Sequence, residues 1–177
     1  MGKHPELIVM LTHHDLTVRN AYEVFDACKD SKARYWGFKE VGLPLDEMKK
    51  LCAYMKSCGK TTFLEVVAYT EQECLEGARM AVECGFDMLM GTTFFDSIND
   101  YCKANHLKYM PFVGHITGRP SVLEGTIGGM IEEADAYLKK GAWGIDLLGY
   151  RYTGDAVELN RRFVAGPLSI LSNRCST

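Results

Sequence analysis

Apolar runs and helical patterns alternate along this chain, and successive apolar runs begin about 22 to 34 residues apart. The runs are Leu7–Thr12, Tyr35–Lys39, Thr62–Ala68, Asp87–Met90, Tyr109–Val113 and Trp143–Leu148, with a seventh at Leu168–Leu171. Between them the spacing predicts helices over Val18–Lys29, Leu45–Ser57, Glu71–Cys84, Asp96–Asn105, Gly128–Lys139 and Ala156–Val164. Thr70 and Glu73 form a capping-box pattern before the third helix, and the motifs SCG, ECG and KKG close three of the helices. Asp15 or Thr17 is placed to cap the first helix. Regular strand–helix units with apolar strands build a parallel sheet covered by helices. Such a sheet is either open and doubly wound or curled into a barrel. The segment after the first strand, THHDLT, lacks the glycine fingerprint of a dinucleotide fold, and polar residues end every strand, which favours the (β/α) barrel.

With 177 residues the chain has room for one sizeable core, so residues 1–177 are read as a single domain. A net charge of −3 gives no electrostatic footprint for nucleic acid or an anionic membrane, and no apolar run is long enough to span a bilayer. The seven cysteines have no CxxC spacing and fall mainly in helices, which reads as reduced packing thiols, no zinc site and a cytoplasmic home.

The stretch YWGFKEVGLP shows where the chemistry would lie. Trp36 and Phe38 share one face of a strand, Tyr35, Gly37 and Lys39 the other, and Lys39 and Glu40 stand at its carboxyl end. Parallel α/β proteins bind their ligands at that end. Alternation then assigns sides elsewhere. Leu64, Val66 and Ala68 face the helices, while Phe63, Glu65 and Val67 face inward. Ile145 and Leu147 face outward and Asp146 inward. His115 shares the parity of Val113 and is expected to face in. A charge turned into the helix layer would be buried without a partner, so Lys39, Glu65 and Asp146 should converge on one mouth. His14, Thr92, Arg119 and Tyr150 sit in the loops around it as candidate substrate-binding residues. Glu65 and Asp146 could also hold a magnesium ion.

The runs CGFDMLMGT, PFVGHITGRPSVLEGT and KKGAWGIDLLGYRYTGD resemble the ribulose-phosphate-binding TIM-barrel superfamily of phosphosugar epimerases, decarboxylases, aldolases and isomerases. The likeness covers most of the chain and is one of rhythm and strand endings. It implies a lyase or isomerase acting on a small, anionic, phosphorylated carbonyl or sugar compound. Lys39 would then stabilise an enolate or act as the amine, Glu65 and Asp146 would move protons or hold metal, and His115 would donate a proton. A full barrel has eight strands, whereas this chain stops after six or seven. Its tail, FVAGPLSILSNRCST, lacks the expected seventh-strand ending, so half of the usual phosphate site is missing. An unclosed seam would expose apolar strand faces and favour a homo-oligomer. The rival expectations are a non-catalytic, antiterminator-like regulatory barrel that binds a phosphorylated ligand at the same mouth, and an inactive barrel fragment.

Overall fold

The computed structural model describes residues 5–166. In chain order its elements are β1 (Ile8–Met10), β2 (Thr12–His13), β3 (Leu16–Thr17), α1 (Ala21–Cys28), β4 (Tyr35–Lys39), α2 (Leu45–Ser57), β5 (Thr61–Val66) and α3 (Glu71–Cys84). There follow β6 (Met88–Gly91), α4 (Asp96–Ala104), β7 (Lys108–Met110), β8 (His115–Thr117), β9 (Val122–Glu124), α5 (Ile127–Lys139), a 3-10 turn (Gly149–Arg151) and α6 (Ala156–Ala165). The main sheet has five parallel strands in the order β1-β4-β5-β6-β7, so each strand lies beside the next one in the chain. The helices α1 to α4 contact one another in the same sequential order.

Alternation along the strands sorts the two faces as expected. Trp36, Phe38, Leu64, Val66 and Leu89 enter one apolar core with Phe25, Met48, Leu51, Met55 and Ile98 from the helices. Each large side chain fully buried there contributes about 1.5–3 kcal/mol relative to exposure. The opposite face is built in rows set by strand register. Met10, Gly37, Phe63 and Met88 lie in one row, and Lys39, Glu65 and Met90 in the next, toward the carboxyl ends. Phe63 and Met88 are buried without belonging to the helix-side core. Gly37 makes this row possible: a Cβ there would lie 2.7 Å from both the Cβ and the carbonyl oxygen of Phe63. Thr70 and Glu73 complete the capping box at α3, and Gly85 ends that helix in the left-handed region.

Among the described residues no strand pairs with the outer edge of β1, so the sheet is parallel and sequential and no closed barrel is found. Two expectations are corrected. Trp143–Leu148 runs beside β7 without a strand ladder. It is held by a parallel bridge between Phe112 and Asp146 and by hydrogen bonds from Trp143 N to Tyr109 O (2.8 Å) and Asp146 N to Pro111 O (3.0 Å). Pro111 has no N–H to give, so a continuous ladder is interrupted there. The segment after the first strand is a hairpin, β2–β3, whose turn places His14 and Asp15 at φ 48° and 61°, and Asp15 therefore caps no helix. A second hairpin, β8–β9, occupies the long loop after β7 and turns on Gly118–Ser121. The strand expected at Leu168–Leu171 lies outside the described residues. A second core gathers Val113, Leu123, Met130, Ile145, Leu159 and Phe163.

Substituting Gly37→Ala should lower stability by about 1–3 kcal/mol, because the new methyl group meets strand backbone and not a flexible side-chain end. Urea unfolding followed by circular dichroism measures it. An unchanged midpoint would show that the inner row is loosely packed.

Candidate functional site

The β2–β3 hairpin is fastened to the carboxyl end of β4. Thr17 Oγ1 accepts from Lys39 N at 2.9 Å and donates to Lys39 O at 2.8 Å, and Thr17 N donates to Val41 O at 2.9 Å. Gly42, at φ 108°, allows this approach, since a Cβ there would stand 2.3 Å from Thr17 O. The hairpin turn thereby carries Asp15 to Lys39, and Lys39 Nζ donates to Asp15 Oδ1 at 3.1 Å. The Lys39 ammonium also lies 3.7 Å from Glu65 Oε1, the register partner on β5. Both Lys39 and Glu65 are largely buried, with side chains 12% and 16% exposed.

Glu40 completes the rim. Its Oε1 accepts from Val67 N at 3.1 Å, while its Oε2 is buried without a protein hydrogen-bond partner. The carbonyl of the same Val67 accepts from Arg119 Nη2 at 2.7 Å. Tyr69 Oη donates to Gly118 O at 3.1 Å and lies 3.1 Å from Ser121 Oγ, so the tip of the β8–β9 hairpin is tied over the end of β5. Asp15, Lys39, Glu40, Val67, Arg119 and Ser121 line a small pocket that opens to solvent.

Asp146 lies deeper. The residue as a whole is half-buried, but its Oδ2 is shut off from water and has no protein hydrogen-bond partner. Burial, seconded by the nearby Glu65 carboxylate, pushes the Asp146 carboxyl up to about 8, against the pull of Lys39 and the Gly91 amide. Burial also raises Glu65, opposed by Lys39 and helped by Glu40 and Asp15. For Asp146 a charge-bearing oxygen is itself shielded from water, which fixes the direction of its shift. Lys39, Glu65 and Asp146 therefore act on one another at the carboxyl ends of the strands, and Asp15 and Glu40 join them.

The remaining candidates stand apart. His115 is exposed on β8 opposite Glu124 and makes no hydrogen bond or ion pair with the cluster. Gly114, at φ 76°, turns the chain between Val113 and His115, so strand parity does not carry across it. His14 is exposed at the β2–β3 turn, its ring 3.9 Å from that of His13. Thr92 is fully buried at φ 67°, and its hydroxyl lies 2.6 Å from Tyr109 Oη, which occupies it. Tyr150 is 93% exposed on the 3-10 turn. Among the described residues no group of three or more His, Cys, Asp or Glu side chains is disposed to hold a metal ion. The six cysteines there are free, and burial pushes Cys52 and Cys74 up to about 11 and Cys102 up to about 12, as suits packing thiols. No helix among the described residues is long and apolar enough to cross a membrane.

The sequence places Glu40 beside Lys39 at the ligand-binding end of the strand but gives neither Glu40 nor Asp15 a role in the site. Asp15 looks like a helix cap, and only the two-residue spacing between TH and LT hints at a turn. Glu40 falls one residue past the strand, where alternation no longer assigns a side. No protein-family model matches the chain, and no curated protein matches it significantly.

The elevated Asp146 carboxyl makes stability depend on pH. The folded state keeps this proton up to about 8, whereas the unfolded chain releases it near 3.8. The associated stability is fully present below 3.8 and is lost as pH rises through about 8. Asp146→Asn cannot ionise. Its stability should match the wild type near pH 4 and exceed it at pH 9 by on the order of a few kcal/mol. Denaturant melts of both proteins across that range measure the difference, and parallel curves would contradict the burial of this carboxyl.

Proposed function

We propose that the chain is built on the plan of a (β/α) barrel and works at the carboxyl ends of its strands as an acid–base enzyme. It is a lyase or isomerase acting on a small hydroxylated carbonyl compound. The sequential parallel strand order, with helices following suit, supports the barrel plan. The observation that carries the activity is the Lys39 ammonium set between Asp15 and Glu65, within the electrostatic reach of the buried Asp146 carboxyl, which is pushed up to about 8. Carboxyl groups whose surroundings separate their proton affinities can act one as acid and the other as base.

In this mechanism the substrate carbonyl oxygen faces Lys39. The ammonium draws electron density onto that oxygen and stabilises the enolate that forms when a carboxylate removes the neighbouring C–H proton. Glu65, whose Oε1 lies 3.7 Å from the Lys39 ammonium, serves as the base. Asp146 holds a proton at neutral pH and delivers it. Return of the proton to the adjacent carbon completes an isomerisation. In a lyase reaction the carboxylate instead takes the proton of the hydroxyl on the carbon beyond, that oxygen becomes a carbonyl as the carbon–carbon bond breaks, and the electron pair left behind is the enolate, held by Lys39 and then protonated by Asp146. An amine ion-paired to Asp15 and Glu65 is suited to an oxyanion, which places imine chemistry second. The phosphate implied by the superfamily resemblance would lie away from Asp15, Glu40 and Glu65, which would repel it.

Incubation with aldoses, ketoses and their phosphates in D2O, followed by proton NMR, tests the proposal. Wild-type protein should incorporate deuterium next to the carbonyl of at least one compound. Lys39→Met and Asp146→Asn should each slow that exchange by about 100-fold or more. The wild-type rate should fall as pH rises through about 8, where Asp146 loses its proton. Absence of exchange across the panel would overturn the acid–base assignment. A borohydride-trapped adduct on Lys39 would replace it with imine chemistry.

A further inference from the structure

We infer that Glu40 is the substrate-binding carboxylate of this mouth, and that it takes a hydrogen bond from a hydroxyl group on an uncharged part of the ligand. The inference rests on the mouth being the substrate site. Glu40 uses one oxygen structurally, since Oε1 accepts from Val67 N at 3.1 Å and fixes the side chain at the end of β5. The other oxygen, Oε2, is buried with no protein partner. A buried carboxylate oxygen without a donor is costly, and folded proteins keep such groups chiefly where something else supplies the partner. Glu40 also lines the solvent-open pocket under the β8–β9 hairpin tip, so the missing donor has a way in.

The pocket wall sets the ligand's charge. Two acids, Asp15 and Glu40, and two cations, Lys39 and Arg119, share it. Lys39 is already paired with Asp15, and Arg119 with the Val67 carbonyl. A bound anion would face the two carboxylates, and a bound cation would face Lys39 and Arg119. A neutral hydroxyl meets neither repulsion and supplies the donor that Glu40 Oε2 lacks. The hairpin tip that lines the same pocket is tied down by Tyr69 Oη to Gly118 and Ser121 and by Arg119.

Glu40→Gln separates binding from structure. The amide oxygen can keep the Val67 hydrogen bond, but the other position becomes an N–H donor and can no longer accept. The variant exchanges one buried unpaired polar atom for another and keeps the Val67 hydrogen bond, so it should melt close to wild type. Erythritol serves as the neutral hydroxylated probe, with inorganic phosphate and ethanolamine as anionic and cationic counterparts. In wild-type protein erythritol should shift the backbone amide NMR signals of Glu40 and Val67 saturably and give intermolecular NOEs to the Val67 methyl groups. Its affinity should fall by about tenfold or more in Glu40→Gln, the loss expected for one hydrogen bond to a charged group. Phosphate and ethanolamine should not compete. Erythritol binding that is absent, or equal in the two proteins, overturns the inference, as does preferential binding of either charged probe. The wild-type NOEs decide the matter even if the variant folds poorly. None of these readouts requires turnover, so the acid–base assignment can fail or stand independently.

Discussion

The ion pairs of Lys39 are the point on which the site depends. Its ammonium meets Asp15 at 3.1 Å and Glu65 at 3.7 Å. The Glu65 contact follows from strand register, because Lys39 and Glu65 are direct partners on β4 and β5. The Asp15 contact follows from the hairpin that Thr17 fastens to the Lys39 backbone. The cation thus joins the carboxyl end of the parallel sheet to a small appended hairpin. Without it, Glu65 and Asp146 would face each other with no positive charge between them, and burial would drive both further toward the protonated form.

Packing on the two faces of the sheet explains why a polar cluster survives so near a core. The helix-side face is apolar and closed by α1 to α4. The inner face is filled beneath the cluster by Phe63 and Met88, and Gly37 gives Phe63 its room. That apolar floor keeps water from below, which raises the proton affinity of the carboxyl groups above it. The roof is lighter. Three residues of the β8–β9 turn, Gly118, Arg119 and Ser121, are held by single hydrogen bonds to Tyr69 and Val67. A firm floor and a lightly tied roof suit a site that must exclude water and still admit a ligand.

Much of this was legible in the sequence because it depends on period. Alternation of two assigns Lys39, Glu65 and Asp146 to one side of the sheet, and burial of a charge in the helix layer is too costly to permit the opposite. The capping box at Thr70 and Glu73 is likewise local chemistry. What escaped depends on turns. His115 fails because Gly114 reverses the chain before it, and Asp15 was misread because its left-handed backbone makes a hairpin in place of a helix cap. Thr92 resembles a ligand-binding hydroxyl until Tyr109, distant in sequence, is seen to take it. The two hairpins bring residues to the mouth from loops, where neither helical nor strand period applies.

The central claim is that a proton resides on Asp146 at neutral pH beside a lysine cation. Carbon-13 NMR titration of the side-chain carboxyl carbons tests it most directly. The Asp146 signal should titrate near 8 in wild-type protein and move higher in Lys39→Met, because Lys39 now lowers it. An Asp146 carboxyl that titrates near the ordinary aspartate value of 3.8, or one that ignores the loss of Lys39, would contradict the account.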